Sequence, residues 1–122
     1  MPVQKIGPEA LESDVNYFPV PAIIIPPSTT DYTQTNLKMD FEILGIDVKT
    51  ATSTLDLQVL INATPVQWTT AAGDTLSVTT SPQEDTAASA ATFSSGDDLS
   101  FSVDLDGGTP TKLELTLHCR RI

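Results

Sequence analysis

Leu99-Ser100-Phe101-Ser102-Val103-Asp104-Leu105, then Asp106-Gly107-Gly108-Thr109-Pro110, then Leu113-Glu114-Leu115-Thr116-Leu117-His118-Cys119: this stretch decides the fold. Apolar residues recur at every second position on both sides of a turn, which is the spacing of half-buried β-strands. The turn is legible because glycine tolerates the positive φ that a tight reversal needs. Upstream, Leu37, Met39, Phe41 and Ile43 alternate with Lys38, Asp40 and Glu42. After Ile43 the apolar members become Leu44, Ile46 and Val48, and this slip beside Gly45 predicts a β-bulge or a strand that crosses between sheets.

Further strands are predicted at Leu55, Leu57, Val59 and Ile61, at Leu76 and Val78, and over Ala91-Thr92-Phe93. Asn62-Ala63-Thr64-Pro65 reads as a hairpin turn into Val66-Gln67-Trp68. Gly73-Asp74-Thr75-Leu76-Ser77-Val78-Thr79 is echoed by Gly96-Asp97-Asp98-Leu99-Ser100-Phe101-Ser102, each copy setting a Gly-Asp turn before a strand. The echo reads as two equivalent corners of a double-sheet fold. Ser81 to Ala90 is polar and Ala-rich and reads as a loop. The result is about seven strands and no amphipathic helix, which indicates an all-β, antiparallel β-sandwich or barrel.

Residues 1–36 have another character. Five of the nine prolines fall between Pro8 and Pro27, at Pro8, Pro19, Pro21, Pro26 and Pro27. Proline fixes φ, deletes a donor and pushes the preceding residue towards extended backbone. Tyr17 to Pro27 is therefore an extended apolar ribbon; Pro8 to Glu12 allows a short helical turn, and Ser28 to Asn36 reads as a linker. The expected division is an N-terminal arm and linker over 1–36 and a sandwich over 37–122. The ribbon's Tyr17, Phe18, Val20, Ile23, Ile24 and Ile25 cannot bury themselves against one another, so they form an interaction patch unless a surface covers them. Burial of the three isoleucines at about 1.5–3 kcal/mol each would offset much of the ordering cost. Three covers are available: the domain's own sandwich, a neighbouring copy or a different protein. Proline density favours the wrapping arm over a central strand, so these six residues are the expected interface.

Composition limits the function. At 122 residues with 39% hydrophobic content, the chain supports one domain with one core. Six basic against sixteen acidic residues give a net charge of -10, which repels phosphate backbones and anionic lipid; no nucleic-acid or membrane partner is expected. The longest apolar run, Ala22 to Ile25, is too short to span a bilayer, and no signal peptide is visible at the N-terminus.

Chemistry-bearing residues are few. His118 and Cys119 are the single histidine and cysteine, and as strand neighbours they face opposite sides, so they cannot act as a nucleophile–base pair. Cys119 is in phase with Leu113, Leu115 and Leu117 and reads as a buried hydrophobe. One histidine and one cysteine do not make a zinc set, and no phosphate-cradling loop or nucleophile elbow is present. Carboxylates are available at Asp97-Asp98, Asp104 and Asp106, and Asp97, Asp98 and Asp106 offer oxygens at strand ends, but their spacing matches no calcium loop and reads as solvated turns. Neither catalysis nor a cofactor or metal is expected. Trp68 and Tyr32 are the aromatics available for a sugar platform, should the domain bind carbohydrate.

Gly96 to Asp104, the Gly107-Gly108-Thr109-Pro110 turn and Leu113 to Leu117 together resemble a recurring pattern of tailed-phage structural proteins. Val59 to Trp68 is similar to a further segment of that pattern, so the resemblance spans about residues 37–121. It implies a jelly-roll-like module of the head-spike, head-fibre, decoration or tail-fibre type. By that resemblance the chain is expected in a virion, as a symmetric homo-oligomer of identical subunits that also contacts other virion proteins. The Pro-rich leader and the His118-Cys119-Arg120-Arg121 ending depart from the pattern.

Overall fold

The computed structural model describes residues 16–122. These fold into eleven strands: β1 (Tyr17–Ile24), β2 (Thr30–Gln34), β3 (Phe41–Ala51), β4 (Leu55–Ile61), β5 (Thr64–Pro65), β6 (Gln67–Trp68), β7 (Leu76–Val78), β8 (Gln83–Ser89), β9 (Thr92–Phe93), β10 (Leu99–Asp104) and β11 (Lys112–Arg121). They form two antiparallel sheets. The larger has the order β1-β11-β3-β8-β6 with β9 beside β3; the smaller has β2-β10-β4-β5 with β7 beside β4. The pleat sends one parity of each strand inwards. Leu113, Leu115, Leu117 and Cys119 of β11 and Leu55, Leu57, Val59 and Ile61 of β4 are all buried, and the two sets meet in one core.

The phase slip at Gly45 is a bulge. His118 pairs with Gly45 and Cys119 with Ile43, so Leu44 is the extra residue and both flanking apolar sets stay inside. Glycine is required there, because a Cβ would stand 2.8 Å from the Asp85 carbonyl oxygen of β8. Asn62 and Ala63 form the two-residue turn of the β4–β5 hairpin, both with positive φ (52° and 69°). The Gly108 turn packs on the loop after β3: a Cβ on Gly108 would collide with the Thr54 carbonyl, and the Thr109 amide donates to Ser53 Oγ at 2.9 Å. Buried Thr50 holds that same loop by donating to the Ser53 carbonyl at 2.6 Å. The two Gly-Asp echoes precede β7 and β10, the antiparallel neighbours on either side of β4. They are equivalent places within one sheet rather than corners of two.

Three sequence expectations are corrected. The sandwich begins at Tyr17, not Leu37, because β1 pairs with β11 along its whole length and β2 within the supposed linker pairs with β10. The Ser81–Ala90 segment is strand β8 rather than a loop; Gln83, Asp85 and Ala87 are half-buried against β3, where small and polar side chains hide the period. The ribbon is an edge strand. The Arg121 amide donates to the Asn16 carbonyl at 2.7 Å, so even-numbered β1 residues direct their backbone to β11 and odd-numbered ones to the free edge. Pro19 and Pro21 are odd-numbered, and their missing donors cost the sheet no hydrogen bond. The turn read at Pro8 to Glu12 lies outside the described residues.

Candidate functional site

The six ribbon residues divide by parity. Phe18, Val20 and Ile24 are half-buried against the protein's own core, and Phe18 meets Phe41 edge-on at 5.5 Å between ring centroids, while Phe41 stacks on Phe93 at 4.5 Å. They are thus removed from the expected interface, because the chain itself covers them. Ile23 and Ile25 remain exposed, at 64% and 70%, and half-buried Tyr17 shares their outward parity. The alternation that turns Phe18 inwards necessarily turns Tyr17 and Ile23 outwards.

Beside Tyr17 lies the outer face of the larger sheet, which carries a ladder of charged pairs. Arg120 faces Glu42 (3.5 Å), His118 Nε2 meets Asp47 Oδ2 (2.7 Å), and Glu114 is held by Lys112 (3.1 Å) and Lys49 (3.6 Å). Glu114 stands below the usual carboxylate range, chiefly through its hydrogen bond with Lys112. Tyr17, Leu44, Asp47, Glu84, Thr86 and His118 line a cleft of about 640 Å³ on this face. A second hollow of about 360 Å³ adjoins it, walled by Pro21, Ile23 and Pro82 with Thr116 between.

Asp85 fixes the cleft's far wall. Its carboxylate accepts the Thr70 amide (2.7 Å), the Ala71 amide (2.8 Å) and its neighbour Thr86's amide (2.8 Å), tying the loop after β6 to β8. Partial burial raises its carboxyl, but these three donors outweigh that effect and hold it below the ordinary value. Asp47 and Glu84 are direct cross-strand partners, a like-charge pair that is unfavourable in isolation. Glu84 forms no ion pair with any described residue, and no lysine or arginine lines the cleft.

The smaller sheet's outer face is polar and acidic. Thr33 and Ser100 share a hydrogen bond of 2.9 Å, and Gln58 donates to Thr75 at 3.4 Å. Asp56 lies directly across from Asp104; burial first, then the charges of Asp106 and Asp104, push its carboxyl above the ordinary value. The strand-end aspartates serve turns: Asp97 accepts the Ser94 amide and Asp104 the Asp106 amide. Among the described residues no group of three or more His, Cys, Asp or Glu is arranged to hold a metal ion.

His118 faces outwards, and Cys119 lies in the core, where burial pushes its thiol up to about 12. Trp68 is buried, which removes it as a sugar platform, and Tyr32 is half-buried with its hydroxyl accepting the Ser28 amide. Sequence reasoning missed Leu44, Asp47, Glu84 and Asp85 as cleft residues. Alternation with buried Ile46 and Val48 puts Asp47 on an outer face, but only the β11-β3-β8 register brings it to His118 and Glu84. No protein-family model matches this chain, and no curated protein matches it.

Proposed function

We propose that this protein is a virion structural protein of a tailed phage or phage-like particle, a head spike, fibre base or decoration subunit. The observation that carries the reading is the strand order. Strands β1-β11-β3-β8 face β2-β10-β4-β7, which is the interleaving produced when a long hairpin is rolled up into two four-stranded sheets. That order supports a jelly roll, an architecture of viral capsid domains and of lectins. The likeness of residues 37–121 to phage structural modules favours the former, by analogy of fold rather than by site chemistry. The buried Trp68 also weighs against the lectin alternative.

In this reading the subunit attaches through side chains on its surface rather than by adding strands. The free edge of β1 lacks amides at Pro19 and Pro21, and the free edge of β2 is short and carries Asp31. Tyr17, Ile23 and Ile25 are the ribbon residues left to dock against identical subunits or other virion proteins. The role is non-catalytic. Immunogold electron microscopy of particles from the encoding source, with antibody to this chain, tests it. Label at a fixed position on heads or tails supports the reading; intact particles free of label and of this chain by mass spectrometry sink it.

A further inference from the structure

We propose that the outer face of the larger sheet, from the free edge of β1 across the Tyr17–His118–Glu84 cleft, docks a basic, extended segment of another protein. Two independent features ask for the same partner chemistry. The first is the β1 edge. Odd-numbered residues point both backbone groups outwards, so Tyr17, Pro19, Pro21 and Ile23 present four carbonyls but only two amides. An ordinary strand needs donors and acceptors in equal number. This edge instead suits side chains that only donate, and arginine brings five N–H groups and no acceptor.

The second feature is the cleft's charge. Asp47 and Glu84 oppose each other across β3 and β8 with His118 as their nearest cationic-capable neighbour. A guanidinium or ammonium between them would convert a repulsive pair into an attractive trio. Leu44 and Tyr17 offer apolar and aromatic surface for the stem and the planar head of such a side chain. Extended chain advances about 6.6 Å per two residues, so alternate basic residues could engage the cleft while their neighbours rest on Pro21, Ile23 and Pro82 in the adjoining hollow.

A second copy of this chain is a poor occupant. Two bodies of charge -10 repel, and of the five described cations Lys49, Lys112 and Arg120 are already paired on this same face. Resting on the assembly reading above, the assignment narrows the partner to a basic strand of a different protein. Its test does not depend on where in a particle the subunit sits.

The probe is a ten-residue peptide of alternating arginine and valine, titrated into the full chain and followed by fluorescence anisotropy and by amide shifts in NMR. Saturable binding is expected, with shifts confined to β1, β11, β3 and β8. D47N/E84Q should weaken it tenfold or more. D56N/D104N removes two charges from an acid pair on the opposite face and should change it less than twofold. E84Q alone, which leaves the His118–Asp47 bond intact, should weaken it at least threefold and covers the case in which the double variant misfolds. Equal losses in D47N/E84Q and D56N/D104N would reduce the effect to net charge and overturn the assignment. Absence of saturable binding, or a concentration-dependent dimer that the peptide does not disturb and that E84Q abolishes, would overturn it as well.

Discussion

Replacing Phe18 by alanine separates an intrinsic strand from a free docking arm. In the structure Phe18 packs on the core and sets its ring edge-on to Phe41 at 5.5 Å, with Phe93 stacked beyond. Truncating a fully buried phenylalanine costs about 3–5 kcal/mol, so a half-buried one costs roughly half of that. Loss of the aromatic pair adds about 0.5–1.5 kcal/mol. The expected destabilisation is therefore about 2–4 kcal/mol, or roughly 8–20 °C in Tm for a domain of this size. Thermal and urea unfolding of the dilute protein, followed by far-ultraviolet circular dichroism, measures it. Ile23→Ala and Ile25→Ala, at exposed positions of the same ribbon, should each stay within about 0.5 kcal/mol of wild type. A Phe18→Ala protein as stable as wild type would refute the placement of β1 on its own sheet.

Other substitutions probe the loops and the carboxylates. Asp85→Asn keeps the shape but weakens the acceptor of three amides, and should cost about 1–2 kcal/mol, with faster hydrogen exchange at Thr70 and Ala71. Because the folded value of Asp85 is lowered, its contribution is complete above its ordinary value of 3.8 and is lost as pH falls through the lower folded value. The variant should show a shallower loss of stability in that acid range. Asp56 has the opposite sign: its raised value means the fold prefers it protonated, so wild type forfeits stability as pH rises through the window above the ordinary value. Asp56→Asn should therefore stabilise the protein at neutral pH by about 0.2–1 kcal/mol, seen as a higher urea midpoint. Ala63→Gly relieves a β-carbon at φ 69° and should raise stability by about 0.5–1 kcal/mol; a lower Tm would show that unfolded-chain entropy dominates.

Local patterns in the sequence carried the central strands, because strict alternation over β3, β4, β10 and β11 reports burial on one face. The bulge was legible for the same reason: one extra residue, Leu44, must reverse the phase, and the reversal is visible in the chain. Strands β1, β2 and β8 escaped because their signals are weakened by physics specific to sheet margins. An edge strand tolerates proline where it needs no donor, β2 buries little more than Tyr32, and β8 packs Ala87 and half-buried polar groups where larger apolar side chains would have announced a strand. The ribbon was recognised as apolar, but pairing partners distant in sequence decide which of its side chains are covered. The cleft was unreadable for a stronger version of that reason. Tyr17, Asp47, Glu84 and His118 come from four strands spread over the chain, and only the order of those strands makes them neighbours.

The hydrogen bond from Arg121 to Asn16 has a topological corollary. It closes the described chain almost into a ring: residue 16 and residue 121 sit side by side on the rim of the sandwich, a strand spacing of about 5 Å apart. Cargo appended before the first strand or after the last would emerge from one pole, leaving clear the opposite one, where the Ser53–Thr54 loop meets the Gly107–Gly108 turn. The same closure invites circular permutation, with a few residues bridging the rim and new ends opened at the Asn62–Ala63 turn.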